Sequence, residues 1–323
     1  MNEITVIQPG GIVDTLEEIL EQSQEYIQKS NAENTVKAYR TDWNHFEDWC
    51  NLHGQQAMPA HIKTVGAYLM SMAKEGFKAS TIQRRISAIS QAHQAAGYEE
   101  SPTKNIYVRK IWKGIRNTIG TYQAGKSPAV IDDIRAMVNT LSDSPLHTRD
   151  RAMLIIGFAG AFRRSELVSL NVEDIEVNRD GLVIHLRKSK TDQEGQGRKI
   201  GLPFGSNPET CPVRSYQSWL DESGIKHGAI FRKVNRHGQI QDSRLTGQSV
   251  ALVVKRCAEE AGLDPKKYSG HSLRAGLATT AAMQGKSERA IMNQTGHRSV
   301  NMVRKYIRDG SIFRDNAASG IGL

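Results

Sequence analysis

Residues 270–306 read GHSLRAGLATTAAMQGKSERAIMNQTGHRSVNMVRKY, and the rest of the chain is organised around them. His271 and Arg274 stand one helical turn apart, so their side chains project from the same face and can converge on one anion. A Gly296-His297 pair follows, and Tyr306 comes nine residues after His297 (306 − 297 = 9). Ile307-Arg308 places Tyr306 near the end of a helical stretch that carries cations on its outer face. Each feature alone is ordinary. A His-x-x-Arg is commonly two surface residues, and a Tyr near a helix end commonly packs rather than reacts. Their order and spacing carry the information.

The ordered set resembles the carboxyl-terminal signature of the tyrosine recombinases, the phage-integrase and Cre-like enzymes: His-x-x-Arg, then His or Trp, then Tyr. That resemblance implies a first Arg well upstream and a Lys in a β-turn between the two. Upstream, the nearly apolar stretch RDRAMLIIGFAGA reads as a buried helix and runs into Phe162-Arg163-Arg164-Ser165-Glu166-Leu167. The match assigns the first catalytic Arg to Arg163 and an orienting role to Glu166. The plain alternative is that Arg163 only pairs with Glu166, although a phosphate satisfies several guanidinium donors at once. Next, GLVIHLRKSKTDQEGQGRKIGLP reads as a β-hairpin or three-stranded sheet, with Leu182, Ile184 and Leu186 alternating before a polar turn. Lys190 corresponds to the family's β-turn lysine, with Lys188 as its competitor. The resemblance therefore implies a catalytic set of Arg163, Glu166, Lys190, His271, Arg274, His297 and Tyr306, with no departure in type or order.

At 323 residues two domains are expected, and 38% hydrophobic against 24% charged residues is ordinary for a soluble globular chain. The net charge of +9 points to an anionic partner, nucleic acid first. Cys50, Cys211 and Cys257 are scattered, odd in number and not at metal-ligand spacing, which reads as reduced intracellular thiols. No apolar run approaches a membrane span and no signal-peptide pattern opens the chain, so a cytoplasmic location without membrane partners is expected.

Residues 1–30 carry six acids against one Lys29 and read as an acidic leader with a helix after Asp14. Its acidity argues against an additional DNA-binding arm there. Ser30 to Glu33 fits a capping box. The following segment spaces Val36, Tyr39, Trp43, Phe46 and Trp49-Cys50 helically, an aromatic stripe read as core. Further helices are expected after Pro59, across KASTIQRRISAISQAHQAAG with Ile82, Ile86 and Ile89 inward, and from Pro102. From Lys78 to Lys126 nine Lys and Arg face only two acids, and this one-sided charge shares a bundle with a Ser/Gln-rich helix face. Phosphate anchoring and base-edge reading need that combination. The candidate DNA contacts are Arg84, Arg85, Ser87, Gln91, Arg109, Lys110, Lys113 and Arg116. Thr246, Gln248 and Ser249, in the first turn of RLTGQSVALVVKRCAEEAGL, are candidates because the family places a helix in the major groove at this point.

The expected fold is mainly α with a small β-sheet in the carboxyl-terminal domain. Residues 1–120 would form the helical, SAM-like core-binding domain, 121–128 a linker, and 129–323 the α+β catalytic domain with a docking tail after Tyr306. The resemblance implies a C-shaped clamp on duplex DNA. It further implies strand cleavage through a 3′-phosphotyrosine and a Holliday junction, at sites with inverted-repeat elements. The protein would be a monomer when free, a dimer on each site and a homotetramer in the synaptic complex. No metal or other cofactor is expected, because the sequence offers neither a carboxylate cluster for Mg²⁺ nor a Gly-rich phosphate loop. A nucleoid-associated protein of bacterial, phage or plasmid origin fits this reading. The alternatives are a type IB topoisomerase-like enzyme and a non-catalytic DNA-binding regulator on the same fold.

Overall fold

The computed structural model describes residues 33–122, 125–187, 189 and 197–310. The acidic leader, the Ser30 end of the capping box, Lys188, Lys190 and the tail after Gly310 lie outside the described residues. The chain divides into two compact units, Met1–Ala124 and Gly125–Leu323.

The first unit is helical: α1 (Glu33–Leu52), α2 (Ile62–Lys74), α3 (Ala79–Ala95) and α4 (Ile106–Ile119). The aromatic stripe of α1 is core, as its spacing predicts. Phe46 and Cys50 are fully buried, Trp43 and Trp49 pack partly buried against them, and Phe46 meets the Tyr68 ring at 4.9 Å. Val36, at the amino-terminal end of the stripe, is 41% exposed. The fifth expected helix does not begin at Pro102. A short 3-10 turn, Pro102–Lys104, comes first, and the Asn105 side chain accepts from the Tyr107 N–H to start α4.

Arg85 is a correction to the expected DNA contacts. Its residue is 8% exposed, it packs 4.4 Å over the Phe77 ring, and it faces the carboxylate of Asp42 at 3.6 Å. The reason lies in the helix period: Arg85 is three residues after Ile82 and four before Ile89, so it shares their inward stripe. Arg84 stays on the surface yet donates twice to Asp42, at 2.6 and 2.9 Å. Asp42 is 2% exposed and holds both guanidiniums. Asp42→Ala leaves Arg85 buried without its anion and is expected to cost the amino-terminal unit about 3 kcal/mol. Urea unfolding followed by Trp fluorescence checks this.

The second unit begins with α5 (Ile131–Asn139), α6 (Pro145–Ala159) and α7 (Arg164–Ser169). Three antiparallel strands follow, β1 (Ile175–Asn178), β2 (Gly181–Leu186) and β3 (Arg198–Pro203), in the order β1-β2-β3. Ile184 pairs with both Ile175 and Ile200, so one sheet face is apolar and buried. The carboxyl-terminal half of α6 is apolar nearly all round because it runs through the middle of the core, with Ala152 to Ile156 buried. Then come α8 (Pro212–Ser223), the hairpin β4 (Arg232–Val234) and β5 (Ile240–Arg244), and α9 (Gly247–Glu260). The closing helices are α10 (Gly270–Met283), α11 (Glu288–Thr295) and α12 (Val300–Gly310). The molecule is thus mainly helical with a small sheet in the carboxyl-terminal unit, as expected, plus a second hairpin the sequence did not announce. Among the described residues no helix is long and apolar enough to cross a membrane.

Candidate active site

Four elements bring the sequence-predicted residues of the second unit together. After α6 the chain turns sharply at Ala161, whose φ of +49° is unusual for a residue with a side chain. Phe162 is buried beyond the turn, and Arg163 caps the short helix α7. The Arg163 N–H donates to Glu166 Oε2 at 3.0 Å, and its guanidinium donates to Glu166 Oε1. Glu166 is 2% exposed. The pairing weighed from the sequence is therefore present, with one carboxylate occupying one edge of the guanidinium.

The Ser269 side chain caps α10 by accepting from the His271 N–H. One turn on, Arg274 is 1% exposed and donates from Nη1 to the Ala161 carbonyl at 2.7 Å, while its Nη2 is buried without a partner. Desolvation and the neighbouring Arg163 push its pKa down to about 10. A buried guanidinium with an unmet donor is poised for an anion.

Helix α11 ends at Gly296, whose φ of +65° gives the left-handed cap that turns the chain into His297. His297 Nδ1 lies 2.7 Å from Thr295 Oγ1, and that hydroxyl donates its proton to the Ile291 carbonyl at 2.7 Å. His297 Nδ1 is therefore the donor of the pair, and Nε2 is left for the site. On α12, the Tyr306 hydroxyl lies 3.2 Å from His271 Nε2, and its ring lies 5.8 Å from that of His297. Tyr306 is half-buried and packs against Ala278, Ala282, Ile291 and Val303. Lys190, the remaining member of the set, lies outside the described residues.

Both imidazoles feel the cations. His297 is lowered to about 4 by desolvation, then by Arg274, Arg163, His271 and Arg198. His271 is exposed as a residue, yet protein atoms crowd its ring, and this desolvation, with Arg274, Arg163 and Arg164, lowers its pKa. A base with a depressed folded pKa binds fewer protons folded than unfolded. Stability is then lost as pH falls below the ordinary histidine value of 6.5 and levels off near 4 for His297. His297→Asn is expected to flatten part of that decline, as measured by urea midpoints between pH 7.5 and 4.

Arg198 joins this cluster and was missed from the sequence. Its signal was period-2 alternation: Ile200 and Leu202 are buried, so residue 198 lies on the same inward face of β3. Among the described residues, no group of three or more His, Cys, Asp or Glu is arranged to hold a metal ion.

The candidate DNA contacts are unequal. Arg109, Lys110, Lys113 and Arg116 are exposed along α4, with Arg116 5.6 Å from the Trp112 ring. Gln91 is exposed, and the half-buried Ser87 turns its hydroxyl back to the Gln83 carbonyl. Thr246 is exposed but serves as the cap of α9, accepting from the Ser249 N–H; Ser249 is half-buried and Gln248 exposed.

Residues 131–311 match the phage integrase family, and residues 20–100 match its N-terminal SAM-like domain. The chain is 42% identical over 294 residues to an integrase/recombinase XerD homologue of Selenomonas ruminantium, covering 90% of this chain and 86% of the relative. It is 25% identical to the Cre recombinase of Escherichia phage P1, covering 86% and 84% of the two chains. The fold resembles that of the Tn1549 transposon integrase solved in complex with transposon right-end DNA, with a TM-score of 0.65 at 16% identity, covering 90% of this chain and 96% of the other. A family match over more than half its length, on a site where Arg163, His271, Arg274, His297 and Tyr306 converge, shows that this chain belongs to the phage integrase family of tyrosine recombinases.

Proposed function

We propose that this recombinase cuts and rejoins duplex DNA at sites with inverted-repeat elements, through a 3′-phosphotyrosine on Tyr306 and a Holliday junction. The observation that carries the reading is the Tyr306 hydroxyl, 3.2 Å from His271 Nε2 and beside a buried guanidinium with a free donor. In the cleavage step the Tyr306 oxygen attacks phosphorus and its proton passes to His271, which its depressed pKa keeps neutral. The bond from phosphorus to the 5′-oxygen breaks, and Lys190 supplies the proton that makes the departing 5′-hydroxyl. Arg163 and Arg274 meet the charge gathering on the non-bridging oxygens, where fixed cations act most strongly. Glu166 aims Arg163. His297 turns Nε2 to the phosphate and donates there as imidazolium, so anion binding takes up a proton. Rejoining reverses these steps with the 5′-hydroxyl of another strand as nucleophile, and the phosphotyrosyl bond conserves the cleavage energy.

The exposed cations of α4 anchor phosphates, and the exposed Gln91 and Gln248 read base edges. The protein would be a monomer free in solution, a dimer on each site and a tetramer at synapsis. The tail beyond Gly310 would dock on a neighbouring protomer. This work belongs in the cytoplasm, at the nucleoid.

The test uses a plasmid carrying two copies of a duplex selected for binding from a random pool. Recombinant circles that require both copies support the proposal. Relaxation of a supercoiled plasmid with one copy or none, without recombinants, would instead mark a topoisomerase. Tight binding with neither product would mark a regulator.

A further inference from the structure

We propose that Arg198 is a positioning residue for cleavage: its guanidinium ties β3 to the carboxyl end of α11 and thereby fixes His297 in the site. The inference rests on the strand-cleavage reading above.

Four observations converge on it. Nη1 of Arg198 donates to two carbonyls in the last turn of α11, those of Asn293 and Gln294, each at 3.1 Å. Those carbonyls have no partner within the helix and form its negative end, where a cation is favoured. Second, the guanidinium lies against Gly296, the residue before His297. A Cβ there would stand 2.9 Å from Cζ of Arg198 and 3.0 Å from Nε, so a larger residue would have to displace the guanidinium in addition to straining the +65° φ. Third, Gln294 returns the tie from the same turn. Its amide donates to the Gly201 carbonyl of β3 at 3.2 Å and to the Ala159 carbonyl at 2.7 Å, at the end of α6 that leads to Arg163. The strand, the helix end and the turn before Arg163 are thus stitched at one place.

The fourth observation is the cost of putting an arginine here. Arg198 Nη2 is buried without a hydrogen-bond partner, and burial together with Arg163 lowers the pKa of the guanidinium. A helix end can be capped by water or by a side chain at the surface. A guanidinium drawn from the inward face of a strand, among other cations, is an expensive cap. The expense is explained if the residue must hold the His297 turn rigidly against the strand. In sequence, that strand closes the segment carrying Lys190, eight residues earlier (198 − 190 = 8). One side chain therefore joins the strand that follows Lys190 in sequence to the histidine-bearing turn.

The experiment compares the full-length protein with Arg198→Gln and Arg198→Lys on a selected duplex nicked beside the cleavage point. Duplex affinity, the single-turnover rate of covalent adduct at saturating DNA, and the NMR titration of His297 without DNA are measured. Both variants are expected to bind within about threefold of the parent. Arg198→Gln is expected to form adduct about thirtyfold more slowly, the scale of a small misplacement of a catalytic group, with Arg198→Lys recovering part of the loss. The charged and titratable groups facing His297 are Arg163, Arg274, His271 and Arg198, with the Tyr306 ring beside it. Arg198→Gln is expected to raise its titration midpoint. Adduct formation at the parent rate in both variants overturns the proposal. So does a slowing matched by lost affinity or thermal stability while the His297 titration stays put, because that marks a purely structural bridge. If the glutamine variant fails to fold, the lysine variant decides: it keeps the charge and loses the fork, so a parent rate refutes positioning. No adduct from the parent protein would count against the cleavage reading itself, and the His297 titration in free protein still tests the clamp.

Discussion

Tyr306→Phe is expected to abolish covalent capture of DNA while leaving binding and folding intact. The substitution removes one atom, the oxygen 3.2 Å from His271 Nε2, and keeps the ring that packs against Ala278, Ala282 and Val303. A half-buried phenol losing one hydrogen bond costs about 1 kcal/mol at most, so melting temperature and duplex affinity are expected to hold close to the parent values. Nothing else described in the site can replace the nucleophile at the same place. In the proposed cleavage step His271 and His297 carry protons, Ser269 caps α10, and the Thr295 hydroxyl is engaged by the Ile291 carbonyl and His297. Cleavage is therefore expected to fall by at least about 10⁴-fold, the scale of deleting a residue that forms the covalent intermediate. Denaturing gels of the protein on a nicked duplex check this: a band surviving SDS with the parent, none with the variant.

Arg274→Met separates catalysis from stability in the opposite sense to most buried substitutions. In the free protein Arg274 is almost wholly buried, leaves Nη2 without a partner, and faces Arg163 and Arg198, with Glu166 as the nearby carboxylate. Burying a cation so poorly paired costs stability, and an apolar side chain of similar length removes that cost. Against this stands one lost hydrogen bond to the Ala161 carbonyl, about 1 kcal/mol. The variant is expected to melt at or above the parent temperature. Cleavage is expected to drop about 10³-fold, because a fixed donor aimed at the developing charge is lost. Calorimetry and single-turnover adduct rates on the same preparations give both numbers. A large loss of thermal stability would show that Arg274 holds the fold rather than the phosphate.

Much of this was legible because local periodicity and motif order depend on neighbours in sequence. The 3.6-residue spacing of Trp43, Phe46 and Cys50 fixes which side of α1 is core, and the all-apolar run of α6 can only be buried. His271 and Arg274 share a face for the same reason. The misses came from partners far along the chain. Arg84 and Arg85 look alike as a pair, and the anion that holds both, Asp42, lies more than forty residues earlier, out of reach of any local pattern. The stripe through Ile82 and Ile89 already pointed at Arg85, but a run of positive charge outweighed it. Arg198 was hidden in the same way: its alternation with Ile200 and Leu202 is plain, but an arginine beside a lysine in a polar turn reads as solvated. The β4–β5 hairpin gave little signal because its strands are short and largely exposed, so neither alternation nor apolar content marks them. Thr246 shows a further limit, since a polar residue at the first turn of a helix serves equally as a cap or as a base reader.

The proposed chemistry leaves Tyr306 bonded to the 3′-phosphate of a cut strand. Trapped adduct would be digested with nuclease and trypsin and analysed by mass spectrometry. Trypsin cuts after Lys305 and Arg308, so the modified residue falls in the tripeptide Tyr306-Ile307-Arg308. This peptide is expected to carry a nucleotide joined through its 3′-phosphate to the tyrosine oxygen, with a free 5′-hydroxyl on the released strand. A nucleotide on any other residue, a 5′-linkage, or cut DNA with no protein attached would contradict it.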